Sequence, residues 1–103
     1  MIENPIIQQD IDFFIEHFPF IEHIKEKTIL VTGATGLIGS VLIKCLLHLN
    51  QVTNSGIKVV AVARNKQKAY DLFGDCEIQW IWQDMTEPLD LSTWDIHYII
   101  HCA

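Results

Sequence analysis

A glycine-rich segment that follows a short apolar run constrains the fold of this chain more than any other feature. Residues 29–31 are Ile-Leu-Val, an apolar pattern typical of a strand buried on both faces. Gly33, Gly36 and Gly39 then recur at intervals of three, and a helical apolar pattern follows them. A strand that turns through glycines into a helix presents free backbone N–H groups and the positive end of a helix dipole, which suit a phosphate. The segment therefore predicts a strand–turn–helix unit with a phosphate site at the turn.

Each glycine of this turn has its own predicted task. We expect Gly33 to make the tight exit from the strand, Gly36 to let the backbone approach a pyrophosphate, and Gly39 to let helix and strand pack closely. The spacing is G-x-x-G-x-x-G, one residue longer than the common dinucleotide fingerprint G-x-G-x-x-G. Ser40 follows Gly39 with no lysine between them, so a nucleoside-triphosphate P-loop fits poorly.

Composition limits the class of protein. A chain of 103 residues with 50% hydrophobic residues predicts one small globular domain at most. The net charge of −6 argues against a nucleic-acid partner. The sequence has no segment of the length and apolarity that a membrane span requires, so we expect a cytoplasmic protein with no membrane partner. The three cysteines, Cys45, Cys76 and Cys102, are widely spaced and in no C-x-x-C pair, which argues against a metal site or a disulfide. Cys45 on the apolar helix face and Cys102 at the end of an apolar strand are expected to be small buried side chains.

The order of the predicted elements indicates two parts. Residues 1–27 form a helical N-terminal extension, in which Ile7, Ile11, Phe14 and Phe18 make one apolar face. That face packs on its own domain or serves as a dimerisation or partner helix, and we favour the first. Residues 28–103 alternate strands and helices: after the first strand, a helix from about Leu37 to about Leu49, a strand Lys58–Arg64, a helix Asn65–Gly74, a strand Glu77–Trp82 and a strand Ile96–Ala103.

These elements predict an incomplete, doubly wound α/β fold with a parallel sheet of strand order 3-2-1-4. The inward face of the long helix is predicted to consist of apolar side chains, namely Ile38, Val41, Leu42, Cys45, Leu46 and Leu49. Between the third and fourth strands there is little room for a crossover helix, so Leu89, Leu91 and Trp94 should cover the sheet from an irregular segment or a single turn.

The segment Thr32–Gly39 resembles the nucleotide-binding turn of the extended short-chain dehydrogenase/reductase superfamily, in particular its NAD-dependent epimerases and dehydratases of nucleotide sugars. The resemblance covers about residues 28–103 and implies a Rossmann-type fold that binds NAD(P). It implies that Asp84 reaches the adenine amino group, whereas a loop-capping role is the alternative. The residues that it assigns to the cofactor are Gly33, Thr35, Gly36, Leu37, Ile38, Gly39, Arg64, Asn65, Asp84, Met85, Cys102 and Ala103.

The end of the second strand bears on the choice between NAD and NADP. An acidic residue there would bind the ribose 2′-hydroxyl of NAD, whereas an arginine accommodates the 2′-phosphate of NADP. This chain has Arg64 at that point and no acid before Asp71, which slightly favours NADP. Arg64 as a solvated helix-start residue, or stacked on the adenine, stays open as an alternative.

No catalytic residue can be assigned from the sequence. In the resembled enzymes a Tyr-x-x-x-Lys pair supplies the acid/base chemistry, and neither Tyr70 nor Tyr98 is followed by such a lysine. His97 and His101 share one face of the fourth strand, and structural roles or a place beside the cofactor are favoured over a metal site. We therefore expect the N-terminal cofactor-binding part of a longer oxidoreductase, which would take a nucleotide sugar through a C-terminal part. The alternative is a non-catalytic dinucleotide-binding sensor or scaffold.

The predicted fourth strand lies at a sheet edge. Because an unpaired apolar edge strand recruits other chains, we expect residues 1–103 alone to associate weakly, and a homodimer stays open.

Overall fold

The computed structural model describes residues 9, 10, 12, 13, 21–84 and 86–102. Residues 9, 10, 12 and 13 have helical backbone. The elements from residue 21 onward are α1 (Ile21–Ile24), β1 (Thr28–Thr32), α2 (Leu37–Thr53), β2 (Lys58–Ala63), α3 (Lys66–Phe73), β3 (Gln79–Trp82) and β4 (Tyr98–His101). Of the elements in the described ranges, none is a helix long and apolar enough to cross a membrane.

The four strands form one parallel sheet in the order β3-β2-β1-β4, which confirms the predicted order and the incomplete Rossmann-like α/β fold. Strand β1 lies at the centre, and all five of its residues are buried. Its hydrogen-bonded partners are β2 on one side, with Leu30 opposite Val60, and β4 on the other, with Leu30 opposite Ile99. Burial on both faces explains why the three central residues, Ile29, Leu30 and Val31, are all apolar and do not alternate with polar ones.

Helices α2 and α3 cover one face of the sheet. Ile29 and Val31 of β1 pack there with Val59 and Ala61 of β2 and with side chains of both helices. The helix residues buried in this cluster are Ile43, Leu46, Leu47, Leu49 and Phe73. Cys45 of α2 is buried as predicted, and burial raises the pKa of its thiol.

The opposite face is covered by the connection between β3 and β4. Leu89, Leu91, Trp94 and Ile96 pack against a buried cluster made of Leu30, Val60 and Val62. Residues 86–97 consist of turns and irregular backbone. The sheet is thus covered here by an irregular segment, as expected from the short connection between the third and fourth strands. The connections β1–β2 and β2–β3 step across the sheet in one direction, whereas the connection β3–β4 steps back past β1. Because this last connection reverses direction and also lies on the opposite face of the sheet, it has the same handedness as the first two.

The long helix extends further than predicted, and of its predicted inward face Cys45, Leu46 and Leu49 are buried whereas Ile38 is not. Helix α2 continues to Thr53. In its last turn the side chain of Asn50 is paired with the returning chain: Nδ2 donates to Ile57 O at 2.7 Å, and Oδ1 accepts the Ile57 N–H at 2.8 Å. The helix ends at Asn54, whose φ of 51° is left-handed. Ile38, predicted to face inward, is 72% exposed, and Ile43 and Leu47 are buried instead.

Three strands also have boundaries that differ from those predicted. β2 ends at Ala63, one residue earlier, β3 begins at Gln79 and β4 spans only Tyr98–His101. Ile96 precedes β4 and packs on the cluster of Leu30, Val60 and Val62, whereas Ile100 packs on the helix-covered face. Ile96 and Ile100 therefore lie on opposite faces of the sheet, and the regular strand starts only at Tyr98.

The apolar face predicted for the N-terminal extension lies outside the described residues. Of the part that is described, Asp12 Oδ1 lies 3.3 Å from His48 Nε2 of α2, so the extension contacts this helix. The short helix α1 lies within the predicted extension, and Tyr98 Oη of β4 donates to His23 O of this helix at 3.2 Å. The assignment of residues 1–27 as a separate helical extension stays a prediction.

Candidate functional site

The turn between β1 and α2 is held by backbone hydrogen bonds. Gly33 has a φ of 63°, a left-handed conformation that favours glycine, as expected for the exit from the strand. The Gly36 N–H donates to Gly33 O at 3.0 Å, and the Ala34 N–H reaches Val62 O of the neighbouring strand at 3.4 Å. The turn is therefore a fixed loop that is tied to β2.

Gly39 and Gly36 leave different amounts of room for a side chain. A Cβ atom added at Gly39 would lie 2.2 Å from the Gly33 carbonyl oxygen and 2.9 Å from its carbon, so the first turn of α2 packs directly on the loop backbone. A Cβ atom at Gly36 would lie 3.3 Å from the same oxygen, which is tight. The loop thus has the close backbone packing that the glycine pattern predicts, because side chains at positions 36 and 39 would collide with or crowd the Gly33 carbonyl oxygen.

The N-terminus of α2 has properties that suit an anion. Gly36 is the N-cap residue and provides no side-chain hydrogen bond, and the first turn contains no acidic residue. The side chains of Leu37 and Ile38 are exposed, at 84% and 72%. The first-turn N–H groups of this helix therefore meet no side-chain cap and no opposing carboxylate from their own turn, and the helix dipole adds partial positive charge there.

A cleft of about 300 Å³ lies beside this turn at the carboxyl ends of β2 and β3. The residues that line it are Gly33, Thr35, Val62, Ala63, Arg64, Gln83 and Asp84. Four of these, Gly33, Thr35, Arg64 and Asp84, belong to the site that the sequence predicted, and the fold brings them together. Gln83 was missed, although its place directly after the third strand was a usable signal, since carboxyl ends of parallel strands share one edge of a sheet.

Arg64 and Asp84 form an ion pair across the cleft. Arg64 Nη1 lies 3.4 Å from Asp84 Oδ2, with side chains that are 74% and 41% exposed. Asp84 also caps its own turn, because its Oδ1 accepts the Thr86 N–H at 3.0 Å. Hydrogen bonds from the Thr86 backbone and side chain lower the pKa of Asp84, and the charge of Arg64 adds a smaller effect in the same direction. The loop-capping role that was the alternative for Asp84 is therefore present in the structure.

The remaining predicted site residues have structural roles in the described part of the chain or lie outside it. Asn65 is the N-cap of α3, and its Oδ1 accepts the Lys68 N–H at 3.0 Å. The Cys102 N–H donates to Thr32 O at 3.2 Å and to Thr32 Oγ1 at 3.1 Å, so its amide belongs to the sheet edge. Met85 and Ala103 lie outside the described residues.

His97 and His101 each bind a residue of the central strand. His97 Nδ1 accepts the Thr28 N–H at 3.0 Å, and His101 Nδ1 lies 2.6 Å from Thr32 Oγ1. Both imidazoles therefore extend the pairing of β4 with β1. Within the described ranges, His, Cys, Asp and Glu side chains form no group of three that could hold a metal ion.

A larger cavity of about 550 Å³ opens at the other end of the sheet, near Thr28, Lys58 and Gln79. These residues begin their strands, so this cavity lies at the amino ends and away from the glycine turn. Ligands of open parallel sheets bind outside the carboxyl ends of the strands. We therefore assign the candidate site to the smaller cleft and the adjoining N-terminus of α2.

A parallel sheet of order 3-2-1-4, a glycine turn after its central strand and an uncapped helix N-terminus define a Rossmann-like nucleotide-binding protein. The sequence model of the NAD dependent epimerase/dehydratase family matches residues 29–103. The chain belongs to this family. No curated protein and no solved structure matched the chain in the corresponding searches. Membership implies a nicotinamide dinucleotide cofactor and an oxidoreductase-like function.

Proposed function

We propose that this chain binds NAD(P) across the carboxyl ends of β1, β2 and β3. The observation that supports this most strongly is the glycine turn, in which Gly39 lies against the Gly33 backbone and Gly36 begins α2 without a side-chain cap. That arrangement brings backbone N–H groups together at a helix N-terminus, which is how dinucleotide-binding folds hold a pyrophosphate.

The residues of the cleft fit the adenosine half of the same ligand. Arg64 provides a guanidinium at the end of β2, where a ribose 2′-substituent is read in folds of this type. Asp84 provides carboxylate oxygens at the end of β3, close to Arg64. Gly33, Gly36 and the first-turn amides of α2, including those of Leu37 and Ile38, would hold the diphosphate. Thr35, Asn65, Met85, Cys102 and Ala103 complete the proposed set of binding residues.

We further propose that the protein acts as an epimerase- or dehydratase-like oxidoreductase on a nucleotide sugar. The bound nicotinamide would supply a hydride acceptor and donor, and the chain described here would bind and orient the dinucleotide. Membership of the family supports the oxidoreductase class. The alternative is a non-catalytic dinucleotide-binding sensor or scaffold.

The exposed guanidinium of Arg64 supports a preference for NADP over NAD. A guanidinium can donate two parallel hydrogen bonds to a phosphate, which a ribose hydroxyl cannot accept in the same way. Most of the Arg64 side chain is open to the cleft, so it has room to meet such a group.

The proposed function is tested by replacing Gly36 with valine in the intact protein. A β-branched side chain at this N-cap would cover the backbone that approaches the pyrophosphate, so we expect loss of binding to both NAD⁺ and NADP⁺ in calorimetry. Circular dichroism and thermal unfolding confirm that the variant is folded. Gln51→Val is the control, because Gln51 is an exposed residue near the opposite end of the same helix and has no part in the turn. Unchanged dinucleotide affinity in folded Gly36→Val would rule out this binding mode.

A further inference from the structure

Arg64 and Asp84 are adjacent because of the register of the sheet. Ala63 of β2 pairs with Trp82 of β3, and the two chains leave the sheet side by side at its carboxyl edge. The contact between Arg64 Nη1 and Asp84 Oδ2 is a single one of 3.4 Å, which is long for a charged hydrogen bond. Among the described residues, Arg64 makes no other side-chain hydrogen bond or ion pair. Most of its donors are therefore uncommitted.

Asp84 is the fixed member of the pair. Its Oδ1 accepts the Thr86 N–H at 3.0 Å, and its backbone oxygen accepts the Glu87 N–H at 3.1 Å. The preceding Gln83 N–H continues the β2–β3 ladder by donating to Ala63 O at 2.9 Å. The carboxylate is thus held by the turn, whereas the long and exposed Arg64 side chain is free to move to a new partner.

We propose that Asp84 is a positioning residue that lowers the preference of this site for 2′-phosphorylated dinucleotides by holding the guanidinium of Arg64. The inference rests on the proposed NAD(P) site and assigns Asp84 a role there beyond contact with the adenine. A 2′-phosphate needs two in-plane N–H donors along one edge of the Arg64 guanidinium, and at the edge that carries Nη1 it competes with the carboxylate of Asp84. NAD has only a hydroxyl at this position, so the pair stays intact when NAD binds.

The pair would therefore set how strongly one arginine discriminates between the two cofactors. A dianionic phosphate attracts a guanidinium more strongly than one carboxylate does, so NADP still binds Arg64. The net gain in binding free energy is smaller, however, because the contact between Arg64 and Asp84 is lost. Removing the carboxylate charge should leave Arg64 fully available. The affinity for NADP should then rise relative to that for NAD. A contact between residue 84 and the adenine would affect both cofactors equally, so it cancels in the ratio of their affinities.

The test is calorimetric titration of the intact wild-type protein and of Asp84→Asn with NAD⁺ and NADP⁺. Asparagine keeps an oxygen for the Thr86 N–H and loses the charge. Because exposed ion pairs contribute little each, we expect the ratio of the NAD⁺ to the NADP⁺ dissociation constant to rise about 2–5-fold. Asp90→Asn is the matched control, since Asp90 Oδ1 accepts the Ser92 N–H at 3.0 Å in the same kind of turn, whereas the ion-pair partner of Arg64 is Asp84. We expect no change of the ratio there.

The role of Arg64 in this effect is tested by the double variant. In an Arg64→Ala background, Asp84→Asn should leave the ratio unchanged, because there is no guanidinium to release. If Asp84→Asn misfolds, Asp84→Ser replaces it, since a serine hydroxyl can also accept a turn N–H.

The outcomes are distinct. A ratio that is unchanged or lower in Asp84→Asn overturns the proposal, while binding of both dinucleotides by the wild type leaves the proposed function intact. A rise that persists without Arg64 also overturns it, because Asp84 would then act on the phosphate directly. Equal weakening of both cofactors in Asp84→Asn would assign this residue to the adenine alone. A wild-type protein that binds neither dinucleotide refutes the proposed function and this inference together.

Discussion

Replacing Gly39 with alanine tests whether the start of α2 packs as closely on the glycine turn as the structure shows. The added Cβ would lie 2.2 Å from Gly33 O, 2.9 Å from Gly33 C and 3.3 Å from Ala34 Cα. All three neighbours are backbone atoms of a loop that is tied to β2 by the Ala34 N–H. They cannot rotate away as a side chain would, so the helix must shift from the sheet to make room.

The sign of the stability change decides this prediction. In an ordinary helix, replacing glycine by alanine stabilises the fold by about 1 kcal/mol. Overpacking against rigid neighbours costs about 1–3 kcal/mol, occasionally more, and a contact this short belongs at the upper end of that range or beyond. We therefore expect Gly39→Ala to lower the free energy of unfolding by about 1–2 kcal/mol net, which lowers the melting temperature by roughly 5–15 °C in a domain of this size.

Urea unfolding of the intact protein, followed by circular dichroism at 222 nm for helix content, measures the change. The intrinsic Gly/Ala difference is calibrated at Gln51, an exposed position of the same helix, by comparing Gln51→Ala with Gln51→Gly. At that position alanine should be the more stable variant, whereas at Gly39 the order should reverse. An alanine at position 39 that stabilises the protein as the Gln51 pair predicts would refute the close packing of α2 on the turn.

The remaining predictions concern three polar side chains. Arg64→Ala should weaken NADP⁺ binding by about 1.5–3 kcal/mol, the range for hydrogen bonds to charged groups, while calorimetry shows NAD⁺ little changed; equal losses would place Arg64 at the adenine. Asn50→Ala removes both hydrogen bonds to Ile57 and should reduce the free energy of unfolding in urea by about 1–3 kcal/mol, whereas a loss below about 0.5 kcal/mol would mean that the helix end does not depend on them. The pKa of Asp84, followed by NMR, should lie below the ordinary aspartate value and stay low in Arg64→Ala, because the Thr86 hydrogen bonds are its largest cause. Since this pKa is lowered by folding, the stabilisation is present above the ordinary aspartate range and is lost as the pH falls through the lowered value.

The sequence predicts the centre of the fold well because local and tertiary preferences agree there. Residues 29–31 are apolar on both faces, and glycines follow at the positions where the turn needs a left-handed φ or close backbone contact. Asn65 and Gly74 bound α3 as expected, since a cap side chain and a glycine stop are local signals. In these segments a single physical requirement decides both the residue type and the conformation.

The end of α2 could not be predicted in this way. The polar residues from Asn50 onward favour a loop, yet Asn50 uses its amide to hold Ile57 on the return of the chain, and the helix continues to Thr53. That contact joins residues on either side of the loop, and it produces no pattern in the sequence from which the end of the helix could have been predicted. Ile38 was assigned to the inward face by helical spacing alone, but in the first turn of α2, directly after the glycine turn, this side chain is exposed.

The relation between Arg64 and Asp84 lies between these two cases. The sequence assigned each residue separately, one to the ribose of the cofactor and one to its adenine, because they are 20 positions apart. The predicted strand order already placed the ends of the second and third strands side by side, and the observed register of Ala63 with Trp82 makes the two side chains neighbours. Topology therefore joins two independently predicted side chains into one charged unit. An arginine at the end of the second strand is then not enough to choose between NAD and NADP, because the carboxylate that the third strand places beside it also determines how much of that arginine a phosphate can bind.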